Sequence, residues 1–145
     1  MLFAPRIMLV VAVDDVDGIR RRIGHGATHR LILAVAARLV DAVGTEGSVR
    51  AFGGDAFKIA RCAIADEAGA HRLASRLHDA ARQPLESRGL QYHVSVSIGI
   101  ASGHGSADAL ELAAVSAMQR VALNGGDATF AMRVARTTPR LALAS

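Results

Sequence analysis

The stretch Ser48-Val49-Arg50-Ala51-Phe52-Gly53-Gly54-Asp55-Ala56-Phe57-Lys58-Ile59-Ala60 decides the fold. Two short apolar runs, 48–52 and 57–64, flank Gly53-Gly54-Asp55-Ala56. A glycine pair accepts the backbone angles of a tight reversal, so the segment reads as a β-hairpin. Upstream, Ile7-Met8-Leu9-Val10-Val11-Ala12-Val13 is apolar without a break and stops at Asp14-Asp15. Such a run suits a strand buried on both faces, in the middle of a sheet. Downstream, over 93–101, Val94, Val96, Ile98 and Ile100 alternate with Ser95, Ser97 and Gly99. That is a strand with one apolar face and one small, polar face.

Three helical patterns lie between these strands. Leu31, Val35, Leu39 and Val43 recur at helical spacing in 27–43, with Arg30, Arg38 and Asp41 opposite and Gly44 and Gly47 behind. Asp66 caps a second helix, striped by Ala70, Leu73, Leu77 and Ala81 and ended by Pro84 and Gly89. Ser106 caps a third, striped by Leu110, Ala114, Ala117 and Val121 and closed by Asn124-Gly125-Gly126. Residues 128–134 read as a last strand. The order predicts an α+β domain, a central, mainly antiparallel five-stranded sheet with the helices packed on one side.

Composition bounds the function. A chain of 145 residues that is 51% hydrophobic builds one domain with a real core. The single cysteine, Cys62, excludes a disulfide framework or a cysteine-rich zinc site, reads as a core residue, and suits a reducing cytoplasmic setting. The seven-residue run at 7–13 is far too short for a membrane span, and the acids that follow it do not make a signal-peptide cleavage site. Of the net charge of +4, three units come from Arg133, Arg136 and Arg140 in 133–145, a basic tail or linker behind a domain at 1–132. With the body nearly neutral and aromatics only 3%, nucleic-acid binding is not expected. His25 is expected to fix a turn, and His29, His71, His78, His93 and His104 show no metal-ligand spacing.

The hairpin motif GGDAF at 53–57 resembles the GGDEF domain of diguanylate cyclases, and the supporting pieces arrive in order. Asp15-Val16-Asp17-Gly18-Ile19-Arg20 is similar to the family's D-x-D-x-F-K, Gly24-His25 to its G-H, and Arg50 to the arginine before the hairpin. Val96-Ser97-Ile98-Gly99-Ile100-Ala101 matches V-S-I-G-I-A, and 114–127 resembles the closing helical segment in length and apolar pattern. The resemblance covers 7–132 and implies the palm-like fold of nucleotidyl cyclases. It also implies the family reaction, condensation of two GTP into cyclic di-GMP at the face between two domains. That chemistry needs metal ions, positioned cations and a guanine-binding surface.

Carried over by residue, the resemblance puts Asp15 and Asp55 on metal-binding acids, oxygen ligands suited to magnesium. Gly53, Gly54 and Arg20 fall on nucleotide-binding positions; Arg20 replaces a lysine. Other positions have lost their groups. Ala56 replaces the second hairpin acid, Ala122 a phosphate-contacting lysine and Gly126 the arginine after it. His29 stands for a guanine-binding aspartate, with Thr28 for its glycine, and no asparagine occurs in Arg20-Arg21-Arg22-Ile23. Lys58 is the chain's one lysine. The product-inhibition motif R-x-x-D falls on Gly44-Thr45-Glu46-Gly47 and has lost both charges. Losing one charge-stabilising donor typically costs on the order of 10²–10³ in rate, and removing a hydrogen-bonding match about 10⁴ in discrimination.

The expectation is therefore a degenerate domain with no catalytic residue, no cofactor beyond weakly bound magnesium, and weak or absent binding of GTP and cyclic di-GMP. Its role would be protein contact, with itself as a homodimer or with an adjoining EAL domain. Two alternatives are a diguanylate cyclase with an atypical GTP site and an allosteric GTP-binding domain without turnover.

Overall fold

A computed structural model describes residues 6–60 and 63–135. Cys62, residues 1–5 and the part of the expected tail at 136–145 lie outside the described residues. The elements follow in the order β1 (Arg6–Val13), α1 (Val16–Val43), β2 (Ser48–Phe52), β3 (Ala56–Ala60), α2 (Glu67–Arg82), β4 (Leu85–Ser87), β5 (Leu90–Tyr92), β6 (Val96–Gly103), α3 (Ala107–Leu123) and β7 (Thr129–Val134). Five strands form one sheet in the order β2-β3-β1-β6-β7. Three of its pairings are antiparallel and the last, β6 with β7, is parallel, so the sheet is mixed. β7 is parallel because α3 carries the chain back across the sheet before it, and its strand takes in Arg133 and Val134.

β1 is the central strand, as its unbroken apolar run predicts, and its alternate residues build two cores. On one face Ile7, Leu9, Val11 and Val13 join Val96, Ile98 and Ile100 of β6. Leu31, Val35, Leu39 and Val43 of α1 and Leu73, Leu77 and Ala81 of α2 pack onto that layer. On the other face Met8 and Val10 meet Leu110, Ala114 and Met118 of α3, with Ala101 of β6 beside them. The helices thus occupy both sides of the sheet, which corrects the expected one-sided packing. A strand that is apolar on both faces leaves one layer in water unless a helix covers each. The small face of β6 is what α3 covers. A Cβ at Gly99 would stand 2.0 Å from Ala114 O and 2.4 Å from Met118 N, so helix and strand approach as closely as backbone permits.

Other differences are local. The first helix begins at Val16, eleven residues before the expected start, and crosses a kink at Gly24, whose φ of 84° and ψ of 171° are not helical. Thr28 Oγ1 donates to Gly24 O at 2.6 Å, so Thr28 rather than His25 supplies the hydrogen bond at the bend. The residues after Pro84 form a small hairpin, with Leu85 facing Tyr92, where only punctuation was expected. The two predicted caps are present. Asp66 accepts from Gly69 N at 2.8 Å and Ser106 Oγ from Ala109 N at 3.1 Å.

Candidate functional site

The ends of β1, the β2–β3 hairpin and the turn after α3 meet around one open cleft of about 520 Å³. β1 and β3 lie side by side with Ala12 opposite Ala56, and Val13 N donates to Asp55 O at 2.9 Å, which fastens the hairpin to the strand end. Gly53 takes a φ of 75°, and a Cβ at Gly53 or Gly54 would meet nothing within 4 Å. The glycine pair therefore serves the reversal and faces open space. The cleft is lined by Ala12, Val13, Asp14, Asp15, Val16, Asp17, Asp55, Ala56, Met118, Ala122, Gly125 and Gly126. Asp15, Asp55, Ala56, Ala122 and Gly126, singled out in the sequence, are thus gathered at one place.

Asp14 is the residue that organises the cleft, although the sequence marks it only as the acid at which the apolar run of β1 stops. Its Oδ2 accepts from Ser95 Oγ at 2.6 Å and from Asp127 N at 2.9 Å, and its Oδ1 accepts from Ser97 Oγ at 2.5 Å. One carboxylate thereby ties the end of β1 to β6 and to the lead-in of β7. Gly126 closes over it. A Cβ there would stand 2.6 Å from Asp14 Cγ, and the φ of 73° disfavours any side chain besides. The signal for Asp14 in the sequence was the pair of serines on the small face of β6, which a β1–β6 register brings opposite the strand end.

Several other charges near the cleft are paired with one another. Asp15 takes a left-handed φ of 53°, is exposed, and folds back over Gly18, where a Cβ would stand 2.4 Å from its Oδ1. Its Oδ2 lies 3.9 Å from Arg22. Arg20 lies outside the cleft lining and donates to Asp17 at 2.9 Å. Lys58 donates to Glu111 of α3 at 2.5 Å. Among the described residues, no group of three or more His, Cys, Asp or Glu side chains is placed to hold a metal ion. Thr28 is buried in α1 and His29 is exposed there. Glu46, in the turn at 44–47, is held by the guanidinium of Arg76.

Behind the Asp14 network sits His78 of α2, 8% exposed. Its Nε2 makes a 2.8 Å hydrogen bond with Thr129 Oγ1, and its Nδ1, without a hydrogen-bond partner, lies 3.9 Å from Asp127 Oδ1. Burial, and then the Arg82 charge, hold its pKa below the ordinary 6.5 against the opposing pull of Asp127, Asp14 and Asp79. Arg82 donates to Asp127 at 2.7 Å, which places Asp127 between α2 and the cleft.

Among solved structures, the chain is similar to an EAL/GGDEF domain protein from M. capsulatus at 29% identity, covering 88% of this chain and 84% of that one with a TM-score of 0.80. The GGDEF domain of YfiN (also TpbB) from Pseudomonas aeruginosa is 23% identical over 90% of this chain and 84% of that one, with a TM-score of 0.83. The diguanylate cyclase SiaD from P. aeruginosa, in complex with its activator SiaC, is 15% identical over 89% of this chain and 50% of that one, with a TM-score of 0.80. The likenesses to YfiN and SiaD speak for the fold alone. No curated protein matches the chain. The family profile described as diguanylate cyclase, GGDEF domain, matches residues 4–127, a span that takes in the central strand, the hairpin and the turn after α3, and the chain belongs to the GGDEF domain family of cyclic di-GMP signalling proteins.

Proposed function

We propose that this chain is a catalytically inactive GGDEF domain that acts through protein contact, including contact with an adjoining EAL domain, inside the cytoplasm. One observation carries the reading: the cleft is lined by four acidic side chains and no basic one. A nucleoside triphosphate brings its own negative charge, and its transfer chemistry depends on cations that neutralise it. Here Arg20 and Arg22 are turned to Asp17 and Asp15, and Lys58 to Glu111. At the positions of the family's phosphate-contacting cations stand Ala122, without a charge, and Gly126, where Asp14 leaves no room for a side chain.

The donor set does not fit catalytic magnesium either. Magnesium demands near-octahedral oxygen ligands. Asp14 already accepts from two serine hydroxyls and an amide, Ala56 offers no oxygen from its side chain, and Asp15 folds back along its own helix, which leaves Asp55 as the one carboxylate of the hairpin. The guanine-binding side lacks its acid at His29. That the M. capsulatus protein is named for both EAL and GGDEF domains supports the EAL domain as the class of partner.

Isothermal titration of GTP with magnesium, and of cyclic di-GMP, into the purified chain tests the reading. Weak or absent heats are expected for both. Submicromolar affinity for either ligand would show that the lost contacts have been rebuilt elsewhere and would overturn it.

A further inference from the structure

The half of α1 beyond the Gly24 kink carries a second apolar stripe besides the one it buries. Leu33 and Val40 are 54% and 51% exposed, and Ala37 between them is exposed as well. Seven residues are two helical turns, so Leu33 and Val40 stand above one another with Ala37 in the gap. Arg30 and Asp41 flank the stripe. They are eleven residues apart, close to three full turns, and therefore lie on the same flank about 16 Å from each other. Both are exposed, and neither has a partner among the described residues. Arg38, the other cation of this segment, is turned away, donating to Gln83 O and to Pro84 O at 2.6 Å. Elsewhere the exposed leucines of α3, Leu112 and Leu123, are separated on their face by Ser116 and Gln119.

The geometry points to a second copy of this chain as the occupant, with two α1 helices packed antiparallel about a twofold axis near Ala36 and Ala37. In that arrangement Leu33 faces Val40 of the second copy, Val40 faces its Leu33, and the small alanines at the centre let the helices approach. A twofold axis normal to an antiparallel pair brings the same flank of both helices together. Arg30 then meets Asp41 of the second copy within two residues of axial offset, about 3 Å, well inside the reach of an arginine. A parallel pair has its twofold axis along the helices and puts the two charged flanks on opposite sides of the seam, so only the antiparallel pair brings Arg30 to Asp41. The contact is isologous and closes on itself, leaving the cleft of each copy free. One helix pair is a small interface, which makes the dimer a transient one.

This inference rests on the reading of the chain as a protein-contact domain and names the surface. Sedimentation velocity of the 145-residue chain over a concentration series reads it. A reversible monomer–dimer equilibrium is expected. Leu33→Glu with Val40→Glu should raise its dissociation constant at least about tenfold, because both anchors leave the apolar contact. Arg30→Asp should raise it about fivefold, and adding Asp41→Arg should restore it. Arg30 and Asp41 are too far apart to interact within one helix, so that rescue can only arise between copies. All four positions are exposed, and circular dichroism would confirm that the variants keep their helix content. A strictly monomeric chain overturns the inference, and so does a dimer that ignores both sets of changes. In the latter case protein contact survives through another surface. GTP turnover, in contrast, would remove the inactivity reading and leave the α1 pairing to be judged on the mass measurement alone.

Discussion

Asp14 carries more of the cleft than any residue the motif names. It satisfies two serine hydroxyls and one amide at once, so its loss leaves three groups without their acceptor. Asp14→Ala should lower the unfolding free energy by about 2–4 kcal/mol, since hydrogen bonds to a charged group are worth more than neutral ones. Chemical denaturation checks this, and an unchanged midpoint would mean that water replaces the carboxylate. Gly99 makes a sharper case, because a methyl there collides with the backbone of α3, which cannot yield as a side-chain end can. Gly99→Ala should destabilise by about 1–3 kcal/mol or more, through the separation of α3 from β6. The motif residues were legible because the family resemblance marks them by type and spacing. Asp14 was not, because its role depends on the register of β1 against β6 and on where the turn after α3 lands.

Strands and helices show a similar division. The hairpin, the central strand and the caps of α2 and α3 follow from local chemistry, and the sequence shows them. The early start of α1 does not, because Asp17, Gly18 and the three arginines after Ile19 offer no clean apolar stripe. Buried Val16 and Ile19 hold that turn from the tertiary side. The two-sided placement of helices was implicit in the apolar run of β1, and the one-sided expectation neglected it. α2 adds a pH dependence of its own. His78 binds a proton less readily folded than unfolded, because burial and Arg82 disfavour its charge. The stability tied to this residue is then full above its ordinary pKa of 6.5 and declines as the pH falls toward the lowered folded value. His78→Gln keeps a hydrogen-bonding group near Thr129 and removes the titration. Unfolding free energies measured across this range should show a flatter slope for the variant, and an equal slope would place the titrating group elsewhere.

As a whole, the molecule retains the family's architecture, and on the proposed reading it has lost the electrostatics of the family's reaction. The sheet, the hairpin and the helices on both faces are kept. The cleft they frame holds four acidic side chains with alanines and glycines, while Arg20, Arg22 and Lys58 are paired to carboxylates. On that reading function resides in surfaces, and the domain serves a signalling protein by what it touches. The most direct measurement is product formation: the purified chain incubated with GTP and magnesium, and the mixture resolved by chromatography. The account predicts no cyclic di-GMP above a control without protein. Product that appears with this chain and disappears with Asp55→Ala would contradict it.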